Sequence, residues 1–289
     1  MADNPDTAAT LEAAHASFAT FAAGLAGDKA AMDRFVDEMH PEMILYFPQT
    51  GRLQGGAYVG DEIRQLFSFV NTVYNTGLHI SPDNEYLAGD TVTFQFHDEA
   101  VTRDGAPYRG CVAISFKMRG GKLFRYREHF GLRWGDSIPA NDDPPASAGG
   151  AITLADVRPV AEAYLAALGA QSGALDEFDR LLANDAVLYF PAREEVDGGA
   201  YSGKEAIRSL IRRRVERTAS GIAAQIDREA VGGDSGGFAC HLSLEAGGVA
   251  ERSTLFLTIK MRGGLAWRIR EYYGPNWGGA VPPHDEDVP

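Results

Sequence analysis

The chain has 289 residues, of which 45% are hydrophobic and 23% are charged, and its formal net charge is −13. This length is about twice that of a common domain, and the composition lets each half bury a core of its own. The negative charge repels phosphate backbones and anionic lipids, so we expect neither a nucleic acid nor a membrane as a partner.

The number of cysteines and the N-terminal residues indicate the cellular compartment and whether a metal is needed. Cys111 and Cys240 are the only cysteines, and no cluster of His, Cys and Asp has the spacing of metal ligands. The N-terminus lacks the regions of a signal peptide, and no apolar run is long enough to span a bilayer. We therefore expect a cytoplasmic protein that needs no metal and no other cofactor.

The sequence contains an internal repeat with an offset of 143 residues. The segment KMRGG at 117–121 recurs at 260–264, and Glu128 recurs as Glu271. The repeat predicts one domain at 1–140 and another at 153–278. Between them, a stretch rich in Pro, Asp and Gly at 141–152 is typical of a linker, and the Pro- and acid-rich end at 279–289 is predicted to be a flexible tail.

Both halves are predicted to contain the same elements in the same order: two helices, a short strand, a glycine-rich turn, a third helix and three or four further strands. Asp28 and Thr153 are predicted N-caps. The predicted helices lie at 11–25, 28–38, 61–74, 153–168, 174–183 and 204–218. The short strands lie at 43–47 and 186–190.

This order predicts an α+β fold made of two tandem cone-shaped domains, each a curved antiparallel sheet closed by three helices. A cone of this kind encloses an apolar pocket whose walls lie on the sheet. The third helix of the second half also carries a basic run, which we interpret as a solvated face. The run consists of Arg208, Arg212, Arg213, Arg214 and Arg217.

The last strand of each half places a glutamate on an apolar face. With the two-residue period of a strand, Glu128 and Glu271 fall among aromatic side chains, and the arginines fall on the opposite face. Burial there raises the pKa of a carboxyl group, which suits it to general acid or base catalysis. We predict both glutamates as catalytic residues. The alternative is a structural carboxylate held by a backbone amide, by Tyr58 or Tyr201, or by an arginine at the mouth of the cone.

The neighbouring strand distinguishes the two halves. Asp98 continues the apolar face of Phe96 in the first half, whereas the same face of the second half carries Leu242. Two nearby acids push each other's pKa values apart and can divide acid and base roles. Asp98 is therefore a third candidate catalytic residue. The alternative places it at the end of its strand, in water.

The remaining candidates are aromatic residues of the predicted pockets, for which core packing is the alternative role. Tyr46 and Tyr189 recur beside the prolines of the short strands. The candidate substrate-binding residues are Tyr46, Tyr58, Phe96, Phe124, Tyr126, Tyr189, Tyr201, Trp267 and Tyr273.

The element order and the strand run that ends in GKLFRYREHFG at 121–131 resemble the nuclear transport factor 2-like superfamily. Within it, both halves look like SnoaL-like and ketosteroid isomerase-like domains, over about 15–135 and 155–278. The resemblance implies a cofactor-independent cyclase, isomerase or condensation catalyst of secondary metabolite biosynthesis, acting on a hydrophobic small molecule. It also implies that the two halves pair through their convex sheet faces as an internal pseudo-dimer, in a chain that is a monomer or a homodimer.

Two subfamilies are similar in the last strand. Phenazine biosynthesis A/B proteins carry an acid/base glutamate there, which maps onto Glu128 and Glu271. Limonene epoxide hydrolase-like proteins place an acid at the same position and an Arg-x-Asp on the adjacent strand. Those two positions are Phe96 and Asp98 here, so the arginine is missing. An epoxide-opening hydrolase or cyclase and a non-catalytic binding protein stay as alternatives.

Overall fold

A computed structural model describes residues 5–49, 54–133, 152–192, 196–218, 221–246 and 249–276. The predicted tail, and all of the predicted linker except Ile152, lie outside the described residues. The domain boundaries therefore stay predictions. No helix in the described ranges combines the length and the apolar character needed to cross a membrane.

The two halves repeat one order of elements. The first half consists of α1 (Pro5–Leu25), α2 (Lys29–Asp37), β1 (Ile44–Phe47), β2 (Gly56–Val59), α3 (Asp61–Val73), β3 (His79–Ala88), β4 (Thr91–Val101), β5 (Pro107–Arg119) and β6 (Lys122–Phe130). The second half consists of α4 (Leu154–Leu168), α5 (Ala174–Leu181), β7 (Leu182–Phe190), β8 (Gly199–Ser202), α6 (Lys204–Glu216), β9 (Ala223–Gly232), β10 (Ser235–Ala246), β11 (Val249–Arg262) and β12 (Leu265–Asn276).

Both predicted N-caps are confirmed. The side chain of Asp28 accepts a hydrogen bond from the backbone N–H of Ala31 at 3.0 Å and so begins α2. Thr153 and Asp156 form a capping box at the start of α4, in which the Asp156 carboxylate accepts from the Thr153 backbone N–H at 2.7 Å. These bonds satisfy amide groups that the helices leave without a partner in their first turns.

The described strands form one sheet in the order β3-β4-β5-β6-β12-β11-β10-β9. Pairing is antiparallel along this path, whereas β1 and β7 lie parallel to β6 and β12 respectively. The two halves join where Phe130 of β6 pairs with Tyr273 of β12. The predicted α+β fold with three helices in each half is confirmed, but the strands of the two halves join into one sheet, and each half contains one parallel pairing that the sequence does not predict.

Each half has its own hydrophobic core between its helices and its sheet. In the first half this core is aromatic: Phe18 stacks on Phe94 with ring centroids 4.2 Å apart, and Phe21 packs edge-on against Tyr126 at 5.8 Å. Separate cores explain how a duplicated sequence folds twice, because each copy buries its own apolar face.

A third cluster lies between the halves and buries the outer sheet faces. It includes Tyr86 and Cys111 from the first half and Phe256 and Tyr272 from the second. The Asn84 amide donates to the Gly232 carbonyl at 2.9 Å across this contact. The face that strand alternation predicts to be polar is therefore covered by the other half of the chain.

Candidate functional site

The first half contains a cavity of about 970 Å³ between α1, α3 and the sheet. This volume is in the range of pockets that bind small molecules. Its polar groups include Asp98, Glu128, Tyr74 and Tyr108. The apolar part of the wall is formed by Phe21, Leu25, Phe47, Phe67, Val70, Leu78 and Phe130, among others.

Glu128 lies in the wall of this cavity and is buried. The Tyr126 hydroxyl donates a hydrogen bond to its Oε2 at 2.7 Å, which fixes the carboxyl group on β6. Burial raises the pKa of Glu128 to about 8; the Tyr126 hydrogen bond lowers it in part, and the charge of Asp98 raises it. Near neutral pH this carboxyl group holds a proton that it can donate.

Asp98 also lines the cavity, from β4, and only 2% of its surface is exposed. The alternative in which Asp98 lies in water is therefore wrong. Its Oδ1 has no hydrogen-bond partner among the described residues. Burial raises the pKa of Asp98 to about 7, although backbone hydrogen bonds from Asp98 and Gly110 oppose the shift. At neutral pH a substantial fraction of this carboxyl group is ionised and can accept a proton.

Gly110 leaves space for the polar end of the cavity. A Cβ atom at this position would collide with Oδ1 of Asp98 and would lie 2.7 Å from the Tyr108 hydroxyl oxygen. The ring of Tyr108 packs against that of Tyr74 at 5.2 Å. Desolvation raises the pKa of Tyr74 to about 12 and that of Tyr108 well above its usual value. Both tyrosines are therefore neutral hydroxyl groups beside the carboxyl group of Asp98.

Tyr74 and Tyr108 are not among the residues predicted from the sequence. Tyr108 could have been found from the two-residue period of β5, which places it on the same face as Gly110, Val112 and Ile114. Tyr74 follows the last residue of α3, where no periodic pattern applies. Only the folded chain brings it to Tyr108.

Glu271 of the second half has a different environment from Glu128. It is completely buried, and its Oε1 lies 2.9 Å from Nη1 of Arg214, which is also completely buried. The Tyr273 hydroxyl donates to Oε2 at 2.5 Å, and the Tyr164 hydroxyl also donates to the carboxylate. Arg214 in turn donates to the hydroxyls of Tyr164 and Tyr273. This glutamate matches the alternative prediction of a structural carboxylate held by an arginine, but the arginine is completely buried and the tyrosines are Tyr164 and Tyr273, whereas Tyr201 bonds to the Asp197 carbonyl.

The environment of Arg214 corrects the interpretation of the basic run on α6 as a solvated face. Arg214 follows Ile207, Leu210 and Ile211 at helical spacing, so it lies on the buried side of the helix. This periodicity could have revealed its position, because a residue seven places after Ile207 returns to the same face.

The repeat relates the two environments residue by residue. The three side chains that contact Glu271 are Tyr164, Arg214 and Tyr273. The offset of 143 residues becomes 144 in the third helix, where Ile63-Arg64 recurs as Ile207-Arg208. These offsets place Phe21, Val70 and Phe130 at the equivalent positions of the first half, and all three line its cavity. The second half therefore has hydrogen-bonding side chains where the first half has apolar cavity walls.

Most of the predicted substrate-binding residues do not line the large cavity. Of all the candidates predicted in the described first half, only Asp98 and Glu128 line the large cavity. Tyr126 and Tyr273 bond to the two glutamates, and Phe96 packs in the first core.

The other aromatic candidates contact arginines or loops. Arg119 and Arg125 cover the ring of Phe124, and Arg262 and Arg268 cover that of Trp267. Tyr46 and Tyr189 lie against Arg127 and Arg270 on the outer faces of the sheet. Tyr58 and Tyr201 donate to the backbone carbonyls of Gln54 and Asp197.

Comparison with solved structures defines the class of protein. A nuclear transport factor 2-like (NTF2-like) protein from Anabaena variabilis is 36% identical over 45% of this chain and 94% of its own, with a TM-score of 0.40. On this identity and coverage, the chain belongs to the NTF2-like family.

Two further solved structures are similar to the chain. TerC, co-crystallized with polyporic acid, is 26% identical over 42% of this chain and 91% of its own, with a TM-score of 0.36. A limonene epoxide hydrolase-like epoxide hydrolase from M. tuberculosis is 21% identical over 42% of this chain and 84% of its own, with a TM-score of 0.35. No family model and no curated protein matches the chain.

Proposed function

We propose that the chain is a cofactor-independent acid/base enzyme that acts on a largely apolar small molecule in the cavity of the first half. The observation that carries the proposal is the presence of Asp98 and Glu128 in one cavity, with pKa values of about 7 and about 8. Perturbed carboxyl groups that face a small-molecule cavity are typical of catalytic sites.

In the proposed reaction Asp98 is the general base and Glu128 is the general acid. Asp98 has the lower pKa and accepts a proton from a C–H or O–H group of the substrate, while the electron pair of that bond moves into the substrate. Glu128 has the higher pKa and donates its proton at the position where negative charge develops. Water then returns the proton from Asp98 to Glu128. This sequence gives an isomerisation or a cyclisation without a change in oxidation state.

The rest of the cavity binds and orients the substrate. Its apolar walls desolvate a hydrophobic ring system, and the neutral hydroxyl groups of Tyr74 and Tyr108 can donate to a carbonyl or hydroxyl oxygen. Desolvation also strengthens the electrostatic effect of these donors on developing charge. A secondary metabolite intermediate with few polar groups is the class of substrate that these walls fit.

The second half takes no part in the chemistry under this proposal. Arg214, Tyr164 and Tyr273 occupy the hydrogen-bonding capacity of Glu271. The first half, in which Oδ1 of Asp98 has no hydrogen-bond partner among the described residues, carries the reaction alone.

The experiment is an isomerisation assay with cyclohex-3-enone, which has an acidic C–H group and forms a conjugated product that absorbs in the ultraviolet. We compare the wild type with Asp98→Asn and Glu128→Gln, which keep the shape of each side chain and replace its ionisable carboxyl group with an amide that neither accepts nor donates a proton in the reaction. Glu99→Gln is the matched control, because Glu99 neighbours Asp98 but pairs with Arg109 on the surface.

We expect both cavity variants to lose at least about 100-fold in kcat/KM, the usual size of a general acid or base contribution. Glu99→Gln is expected to retain wild-type activity. Binding of the ketone without turnover by the wild type would favour the alternative of a non-catalytic binding protein. Equal activity in all four proteins would overturn the assignment of the acidic pair.

A further inference from the structure

The mouth of the large cavity in the first half carries two arginines. Arg103 and Arg133 line the cavity and are exposed, so they lie where it opens to the solvent, whereas the acidic pair of the same cavity is buried. Asp104 is the one acidic side chain among the exposed, described residues of this wall, and it accepts a hydrogen bond from the Thr102 hydroxyl. Two arginines and one aspartate leave the mouth with a single net positive charge.

The backbone of Arg103 is fixed beside the polar end of the cavity. Arg103 lies in the hairpin between β4 and β5, which is closed by a hydrogen bond from the Gly105 N–H to the Thr102 carbonyl at 2.9 Å. The N–H of Arg103 itself donates to the carbonyl of Val73 at 3.1 Å. Because Val73 ends α3 and Tyr74 follows it, this bond holds the arginine next to a residue of the cavity wall.

Arg133 is held close to the acidic pair from the opposite strand. The Gly131 N–H donates to the Cys111 carbonyl at 2.8 Å, which fixes the chain two residues before Arg133. The guanidinium carbon of Arg133 lies 5.7 Å from the centre of the Tyr108 ring. Burial raises the pKa of Asp98, and the charge of Arg133 is among the smaller effects that lower it. The positive charge at the mouth therefore reaches the group that accepts the proton.

Exposed arginines are common on protein surfaces, so the difference between the two halves is the second observation. The offset of 143 residues places Asn276 at the position of Arg133. The segment AGGV at 246–249, which corresponds to the hairpin between β4 and β5, contains no arginine. Arg109, which does not line the cavity, recurs as Arg252. The arginines of the mouth are thus specific to the half that has the acidic pair.

The chemistry of the mouth suits a carboxylate. A guanidinium group binds a carboxylate through two parallel hydrogen bonds, which fix its orientation as well as its position. A single net positive charge complements a monoanion better than a dianion such as a phosphate monoester. The chain as a whole has a net charge of −13 and repels anions, so local cations are needed to admit one.

We propose that the substrate of this cavity is an apolar ring compound with one carboxylate group, which Arg103 and Arg133 bind at the mouth. This inference rests on the proposed function, and it adds the class of substrate. The apolar walls take the ring system, and the bound carboxylate orients it so that the reacting carbon atoms lie at Asp98 and Glu128. The two arginines are positioning residues in this reaction.

The test compares two aromatic probes that differ in charge and not in shape, 2-naphthoate and its neutral isostere 2-naphthamide. Isothermal titration calorimetry near neutral pH gives the Kd of each probe for the wild type and the variants. Arg103→Gln and Arg133→Gln remove one charge each, and Arg133→Lys keeps the charge but not the planar fork. Arg109→Gln is the matched control, because Arg109 is also exposed but pairs with Glu99 at 3.2 Å.

We expect the wild type and Arg109→Gln to bind 2-naphthoate at least about fivefold more tightly than 2-naphthamide, the size of a partly solvated ion pair. Each Gln variant is expected to lose most of this preference while its Kd for the amide stays the same. Arg133→Lys should keep more of the preference than Arg133→Gln, a result that loss of structure alone would not give. A wild type that binds both probes equally, or neither, would overturn the inference. So would an unchanged preference in both Gln variants.

Turnover of cyclohex-3-enone, which has no carboxylate, tests the proposed function separately. A wild type that isomerises the ketone but does not prefer 2-naphthoate contradicts the inference about the substrate and leaves the acid/base function in place. A wild type that prefers 2-naphthoate through the two arginines but does not isomerise the ketone contradicts the proposed function. In that case the carboxylate site at the mouth is supported as the site of a bound ligand.

Discussion

The guanidinium group of Arg214 lies 2.9 Å from the carboxylate of Glu271, and neither side chain has any exposed surface. The repeat equivalent of Arg214 is Val70, which lines the cavity that contains Glu128. Together with Tyr164 and Tyr273, which replace Phe21 and Phe130, this difference separates a glutamate that is paired in a core from one that faces a pocket. This contrast leads to predictions for both halves.

Loss of the buried guanidinium group is expected to destabilise the second half. In Arg214→Met the Glu271 carboxylate loses its charged partner, and breaking a buried ion pair in this way costs about 3–5 kcal/mol. The control is Arg208→Met, because Arg208 lies on the same helix but pairs with the exposed Asp176 at 2.9 Å. Surface pairs contribute about 1 kcal/mol or less. Urea unfolding followed by circular dichroism measures the free energy of unfolding of both variants. Equal losses of stability in Arg214→Met and Arg208→Met would contradict this role for Arg214.

The acidic pair is expected to make stability depend on pH. Asp98 has a pKa of about 7 in the folded chain, against a reference value of 3.8. Between about pH 4 and about pH 7 the folded state therefore binds more protons than the unfolded state, so its free energy of unfolding falls as the pH rises. The contribution of Asp98 to this fall is on the order of 4 kcal/mol.

Asp98→Asn is expected to remove that contribution. The variant should match the wild type near pH 4 and exceed its free energy of unfolding at pH 8, as measured by urea unfolding at each pH. Glu99→Gln serves as the control on the adjacent, exposed position. A wild type and an Asp98→Asn variant with parallel pH profiles would show that Asp98 titrates normally.

A Val70→Arg substitution is expected to convert the first half towards the arrangement of the second. The new guanidinium group enters the cavity and pairs with Glu128, which lowers the pKa of Glu128 and abolishes its capacity to donate a proton near neutral pH. Carbon-13 NMR of the labelled carboxyl groups measures that pKa, and the ketone assay measures activity. Val59→Arg is the control, because Val59 is 49% exposed. An unchanged pKa of Glu128 in Val70→Arg would contradict the equivalence of the two positions.

Gly110→Ala is expected to reduce activity more than stability. The added methyl group collides with Oδ1 of Asp98 and approaches the Tyr108 hydroxyl oxygen to 2.7 Å, so the carboxyl group must turn away from the cavity. We expect at least a tenfold loss in kcat, in line with the sensitivity of catalysis to misplacement of about 1 Å. In the control Gly199→Ala, the nearest atom to the new methyl group is a ring carbon of Tyr201 at 3.9 Å. Equal kcat values in the two variants would exclude Asp98 from the reaction.

Much of the fold is predictable because it depends on local periodicity. The predicted third helices at 61–74 and 204–218 differ from α3 and α6 by one or two residues at their ends. The parallel pairing of β1 with β6 is not predictable in the same way. Alternation along a strand shows which face is apolar but contains no information about the strand beside it.

The candidate site is predictable in part, for the same reason. The two-residue period places Asp98 and Glu128 on inward faces, and the structure brings both to one cavity. The two-residue period does not reveal Tyr74, which reaches the cavity only through the path of the chain after α3. It also assigns Arg127 to a polar face, whereas the second half covers that face.

The sequence by itself determines that this protein has two copies of one fold and that each copy directs a glutamate to its apolar face. The positions of the side chains along helices and strands are set by backbone geometry, and the repeat makes them visible twice. Only the tertiary structure decides what each glutamate does. Arg214 reaches Glu271 from a helix 57 residues away, and Asp98 shares a cavity with Glu128. Whether a buried carboxyl group is paired or holds a proton depends on such long-range neighbours, because charge and desolvation act through space and not along the chain.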